Sequence, residues 1–265
     1  MAKIISILNF KGGVGKSTTA VNVAKALHID GNRVLVIDAD PQGNASRMMG
    51  MKLAEKNDET LYEAMLNGID IRNCIYADQE KDDSFDYVPA NYRLSNIEQK
   101  LIDRISRETV LRKLLKPIEG AYDYILIDCP PNDGLIAQNA MSASNYILVP
   151  MNGEQFAIDG MGKIISQYNE IKNNVNPDLQ ILGYVFTLIR KCKLHEQVKN
   201  CMRLQHAQNN WPGVVFETEI RQSIVLAESA VAQKNIFDYS RYEPGAFAYK
   251  RLAIEIVERI NQIEN

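Results

Sequence analysis

No stretch of this 265-residue chain approaches the roughly 18–20 consecutive apolar residues of a membrane span. Its first residues, MAKIISILNF, lack a signal-peptide layout, so a cytoplasmic protein is the expectation. The four cysteines, Cys74, Cys129, Cys192 and Cys201, form no C-x-x-C pair, and reduced thiols in a cytosolic protein are the simple reading. Basic charge is not in excess. A formal charge of −3 argues against a protein that coats nucleic acid with its whole surface, yet it leaves room for a local basic patch. Internal repeats, low-complexity tracts and linkers are missing as well. The length suits one large α/β domain, or at most two small ones.

What is present is a series of apolar runs alternating with helical patterns. KIISILN (3–9) reads as a buried strand, 17–29 as a helix with Ala20, Val23, Ala24 and Leu27 at helical spacing, and RVLVIDAD (33–40) as a second strand. That opening is a βαβ unit. PQGNASRMMG (41–50) is loop-like, TLYEAMLNG (60–68) is a short helix ended by Gly68, and DQEKDD (78–83) is a solvated turn. FDYVPAN (85–91) is a strand and loop, and 94–116 looks helical. YDYILIDCPP (122–131), NYILVPM (145–151) and QILGYVFTLI (180–189) are further strands, and VVFET (214–218) is a short one. Helices are expected at about 133–143, 154–173, 195–209, 222–233 and 245–263. The fold class that follows is α/β: a mostly parallel twisted sheet with helices on both faces, in one domain over 1–265. The chain starts at the first strand, so no N-terminal helix-turn-helix extension is expected.

Three motifs fall at strand ends, where such sheets bind ligands. The first is NFKGGVGKST (9–18). It departs from G-x-x-x-x-G-K-[ST]: Gly15, Lys16 and Ser17 fit, but Phe10 replaces the first glycine and a second lysine, Lys11, opens the loop. Gly12, Gly13, Val14, Gly15, Lys16, Ser17 and Thr18 are the candidate phosphate cradle, because small residues let backbone N–H groups close on phosphate oxygens at a helix N-terminus. Lys16 would reach the β- and γ-phosphates, and Ser17 would place its hydroxyl on Mg²⁺. The second motif, VIDADPQ, delivers Asp38 and Asp40 to a strand tip. The third, YILIDCPP, ends in Asp128, the arrangement of an acid that holds Mg²⁺ directly or through water.

KGGVGKST, then DADPQGN, then DCPP resembles the deviant Walker A ATPases, the ParA/MinD group, and most closely its ParA/Soj DNA-partition branch. VPAN-x-x-LS-x-x-E (88–98), NPDLQILGYVFT (176–187) and VFETEI (215–220) share that likeness, which spans nearly the whole chain. The resemblance implies ATP and Mg²⁺ as ligands, a homodimer formed on ATP binding, non-specific binding to double-stranded DNA, a nucleoid-associated location, and a ParB-like partner that stimulates slow hydrolysis. It makes Lys11 the signature lysine that reaches across to the partner subunit's phosphates. It makes Asp40 the residue that orients the attacking water, Asp38 the Mg²⁺-side acid of the same tip, and Gly12 the point where the partner's loop packs. Lys11, Lys16 and Asp40 are thus the candidate catalytic set; Ser17, Asp38 and Asp128 are the candidate metal set.

A DNA surface needs cations for phosphates. Residues 190–203 hold Arg190, Lys191, Lys193, Lys199 and Arg203 against the single acid Glu196, and Arg221, Lys250 and Arg251 could extend the patch. A solvated helix face is the other reading. The resemblance also breaks here. Where the family reads roughly I-P-R-N-V-R-L-S-E-A-P, this chain reads I-R-Q-S-I-V-L-A-E-S-A (220–230), with Val225 at an arginine position. No membrane role is expected: the tail RLAIEIVERINQIEN is too acidic for a membrane-surface helix and reads as a helix docked on the domain through Leu252, Ile256, Ile260 and Ile263. Cys192, His195, Cys201 and His206 suggest a metal. On one helix, however, His195 and Cys201 sit roughly 240° apart and share no face. A ParA-like ATPase positioning a protein cargo, and more remotely an iron–sulfur scaffold or reductase, are the alternatives.

Overall fold

The computed structural model describes residues 1–50, 59–77, 85–153, 156–208 and 211–265, the side chains of 156–159 excepted. The DQEKDD segment falls outside them. Seven strands form one sheet in the order β3-β2-β4-β1-β5-β6-β7, and every pairing between them is parallel. They are β1 (Lys3–Ile7), β2 (Val34–Asp38), β3 (Asp86–Val88), β4 (Tyr124–Asp128), β5 (Tyr146–Asn152), β6 (Gln180–Thr187) and β7 (Val214–Val215). The inner strands are buried on both faces, which is why they read as unbroken Ile, Leu and Val runs.

The helices cover both faces and separate two apolar cores. On one face lie α3 (Leu61–Asn67), α4 (Ile97–Lys100), α5 (Val110–Leu115), α6 (Leu135–Ala143) and α7 (Phe156–Asn174). On the other lie α1 (Lys16–Ile29), α2 (Asn44–Met48), α9 (Ile224–Val231), α10 (Ile236–Ser240) and α11 (Pro244–Glu264). α8 (Lys193–Gln208) follows β6. α1 is buried from Thr19 to Leu27 and packs against α11. In α11, Leu252, Ile256 and Ile260 are fully buried, so the C-terminal segment is docked, as its apolar stripe predicts.

Several local expectations are corrected. Residues 44–48 are helical, not loop. The stretch 94–116 is two short helices, α4 and α5, with 3₁₀ turns at Tyr92–Asn96 and Arg107–Thr109. Between them Ser106 takes φ 55°. The short strand expected over 214–218 covers only β7, and α10 was not anticipated.

Candidate functional site

Parallel strands place all their carboxyl ends on one edge, and β1, β2 and β4 end there side by side. In the ladder Ile7 pairs with Asp128, and Asp38 pairs with Asp128 on the other side. The glycine loop follows β1. Asn9 organises its entry: its side-chain oxygen accepts from the Lys11 N–H at 2.9 Å, while its amide donates to the Pro150 carbonyl at 2.8 Å. Gly13 and Gly15 take φ of 73° and 77°, the left-handed region open to glycine at no steric cost. Gly15 caps α1, whose first turn carries no acidic residue, so its free N–H groups favour an anion. Lys16 is 7% exposed, and its Nζ donates to the Lys11 carbonyl at 3.0 Å. Burial pulls its pKa below the ordinary lysine value, against the pull of Asp128.

The loop opens on a cleft of about 450 Å³ lined by Gly12, Gly13, Gly15, Lys16, Ser17, Thr18, Asp40 and Pro131, with further walls from α2 and α9. Lys11 is half-buried at the loop entrance. Asp40 is nearly buried; one carboxylate oxygen accepts from the Gln42 N–H at 2.9 Å.

The two strand-tip aspartates are both fully buried but differently served. The Asp38 carboxylate accepts from the Ser46 N–H and hydroxyl, each at 2.7 Å, and from the Asp40 N–H at 3.1 Å. Desolvation still pushes its pKa up to about 6. Asp128 has no hydrogen-bond partner on either oxygen. Burial, then the charge of Asp38, raises its pKa well above the carboxylate range; the nearby Ser17 hydroxyl and Lys16 ammonium work the other way. An orphaned buried carboxylate beside a hydroxyl and a phosphate cradle fits a hard divalent cation. Asp38, expected as a metal-side acid, already accepts three hydrogen bonds from its own chain. Its bonds instead fix the start of the loop that carries Asp40. No group of three His, Cys, Asp or Glu residues gathers in metal-holding geometry among the described residues.

Away from the cleft, Arg190, Lys191, Lys193, Arg221, Lys250 and Arg251 are exposed and Arg203 is half-exposed. Lys199 must be withdrawn from the expected patch. It is 5% exposed, and its Nζ sits 2.7 Å from Glu219 and 2.8 Å from Glu196. α8 turns it inward to neutralise a carboxylate twenty residues away. Lys250 lies 3.6 Å from Asp30. Cys129 is fully buried, and burial pushes its thiol up, away from reactivity. No described helix is long and apolar enough to cross a membrane.

The sequence reading missed Asn9, Ser46, Arg47 and Thr187. Arg47 lines the cleft from α2. The Thr187 hydroxyl reaches the Val14 carbonyl at 2.8 Å. Only Asn9, directly before the loop, had a position that could have signalled its role.

Fold and site together define a P-loop nucleotide-binding protein with an acid at each of two adjacent strand tips. The profile of a family described as "AAA domain" matches residues 2–181. The sporulation initiation inhibitor protein Soj of Bacillus subtilis is 34% identical over 97% of this chain and 98% of its own. The chromosome partitioning protein ParA of Myxococcus xanthus is 34% identical over 98% and 89%. A solved cobyrinic acid a,c-diamide synthase from Mycobacterium smegmatis, with bound ADP and magnesium, matches with TM-score 0.83 and 26% identity, covering 98% of this chain and 96% of that one. The chain belongs to the ParA/Soj family of P-loop ATPases.

Proposed function

We propose that this ATPase drives DNA partition, moving a plasmid or chromosome region by a nucleotide-gated cycle on DNA. The observation that carries the reading is its likeness, over nearly the full chain, to a protein named for chromosome partitioning, the ParA of Myxococcus xanthus. In this cycle ATP binding joins two subunits, the dimer binds double-stranded DNA non-specifically over the nucleoid, and a ParB-like partner triggers hydrolysis and release.

Each residue has a part in that cycle. Gly12 to Thr18 receive the phosphates, Lys16 neutralises them, and Ser17 with Asp128 holds Mg²⁺. When bound, Mg²⁺ supplies charge neutralisation on the phosphate oxygens. Asp40, kept in place by Gln42 and by the Asp38 frame, orients the attacking water. Lys11 supplies charge to the partner subunit's phosphates, the role an arginine finger plays elsewhere. A Cβ built on Gly12 would meet only the Pro131 Cβ, at an ordinary 3.9 Å, so the chain itself tolerates a side chain there. The partner's loop would pack at this open position, and the phosphates it faces would also favour a small residue there. DNA phosphates meet Arg190, Lys191, Lys193, Arg203, Arg221 and Arg251.

The test is DNA binding by the purified protein with ADP, with ATP, and with ATP in an Asp40→Ala variant, at two salt concentrations. The expected result is binding only with ATP, weaker at high salt, and persistent in the variant. Absence of DNA binding in every state rejects the partition cycle while leaving the ATPase intact.

A further inference from the structure

Thr187 ends β6 against the phosphate loop and is 1% exposed. Its Oγ1 lies 2.8 Å from the Val14 carbonyl oxygen and 3.1 Å from the Met151 carbonyl oxygen. A hydroxyl has one proton to donate. That proton can serve the loop or β5.

Beyond Thr187 the backbone takes an unusual course. Leu188 has φ 55°, in the left-handed region that a leucine rarely enters. Such conformations persist where the surroundings impose them, and they cluster at switch regions. Here the surroundings are a short ladder. The Ile220 N–H donates to the Phe186 carbonyl at 2.8 Å, Ile189 to Ile220 at 3.1 Å, and Gln222 to Ile189 at 2.9 Å. Ile189 thereby pairs with Arg221. Arg190 comes next: its Nε donates to the Gln222 side chain, and its N–H donates to His195 Nδ1 at 3.0 Å. Two residues, Leu188 and Ile189, separate the hydroxyl that grips the phosphate loop from an exposed cation, and a second cation rides on the same ladder.

We propose that Thr187 is a positioning residue that couples the phosphate loop to the placement of Arg190 and Arg221, making DNA affinity depend on the bound nucleotide. This rests on the partition reading above. Coupling needs an element with two arrangements, each favoured by one ligand state. One proton facing two acceptors supplies them, and the Leu188 turn connects the difference to the ladder. Coupling of this kind is reciprocal, so DNA must raise ATP affinity by the same factor that ATP raises DNA affinity.

The experiment uses the full chain as wild type, Thr187→Val, Thr187→Ser and Leu188→Gly. It measures affinity for a random-sequence DNA duplex with Mg·ADP and with a non-hydrolysable ATP analogue, together with affinity for each nucleotide. The readout is the ratio of the two DNA affinities. Thr187→Val is expected to bring that ratio down about tenfold, and Thr187→Ser, which keeps the hydroxyl, to restore it. Leu188→Gly, which relaxes the turn and keeps the hydroxyl, is expected to lower the ratio without lowering the thermal midpoint, and it decides the matter if the valine variant does not fold. A wild-type ratio in Thr187→Val or Leu188→Gly overturns the coupling and leaves the partition reading standing. A wild type that binds DNA equally in both states overturns the partition reading and the coupling with it.

Discussion

Two adjacent strands end in the same residue, and the two tips have been put to different uses. Asp38 and Asp128 are ladder partners, both follow apolar runs, and neither is exposed to solvent. Yet Asp38 has three donors from its own chain, and Asp128 has none. What separates them is the segment that follows. After β2 the chain turns into α2 and brings Ser46 back onto the strand tip. After β4 it runs into the Pro130–Pro131 pair; Pro has no N–H, so those two positions have no backbone donor to give. One acid is thereby tied into the architecture, while the other keeps both oxygens without a hydrogen-bond partner. A carboxylate's role is set by what is donated to it, which a strand-end motif alone does not reveal.

The sharpest break of this comparison is Asp128→Asn. Hydrolysis should fall by roughly 10²–10³-fold, with Mg²⁺ no longer strengthening nucleotide binding. The unliganded thermal midpoint should not fall, because neither Asp128 oxygen has a hydrogen-bond partner for the change to remove. A lower midpoint would mean that Asp128 is structural like its neighbour.

Acidity probes both tips at once. Asp38 is pushed up to about 6 by desolvation, so its carboxyl holds a proton more tightly in the folded chain than in the unfolded one. That contribution to stability is full below about pH 4 and is lost as pH rises through about 6, amounting to roughly 3 kcal/mol. Asp128, also raised, acts in the same direction. Denaturant unfolding of the unliganded protein at pH 5 and 7 should show this trend, reduced in Asp128→Asn and reduced again with Mg·ATP bound. A trend identical in all three would detach it from the strand tips.

Ser46→Ala sharpens the contrast from the other side. It takes one donor from Asp38 and removes the oxygen that accepts the Ala90 N–H at 3.1 Å. Unfolding free energy should drop by about 1–3 kcal/mol, with hydrolysis changed less than in Asp128→Asn. The smallest effects belong to the exposed edge. Arg190→Gln should lower the salt slope of DNA binding by about one, while Lys199→Met should leave that slope unchanged and lower stability instead. Equal slopes for the two variants would put Lys199 back on the surface.

The strands of this site were legible because both-face burial leaves no choice but Ile, Leu and Val, and the loop was legible because phosphate contact demands Gly, Lys and Ser in order. The segment 94–116 was not. It contains no Pro or Gly to interrupt a helix, yet Ile97, Leu101, Val110, Leu111 and Leu115 all have to reach one core, and a single straight helix is given up so that they can. α2 was hidden because NASRM reads as turn chemistry until Gly43 is seen capping it in the left-handed region. Lys199 looked like part of a basic run because its partner Glu219 is distant in sequence, and Ser46 and Thr187 act through contacts that no local pattern announces.

The helix that follows the phosphate loop is secured from the far end of the chain. Asn22 donates to the Thr18 carbonyl at 2.8 Å and accepts from the Ile236 N–H at 2.7 Å, while Thr19 meets the Tyr249 hydroxyl at 3.5 Å. Ribosomes make α1 well before they reach Ile236 and Tyr249. The phosphate loop of a nascent chain therefore has its sequence long before it has its support. A polypeptide stopped ahead of Ile236 carries every residue of the nucleotide motifs, but it lacks the contacts that hold α1 in register. The support of the phosphate cradle is thus assembled across more than two hundred residues of sequence, from Asn22 to Ile236 and from Thr19 to Tyr249.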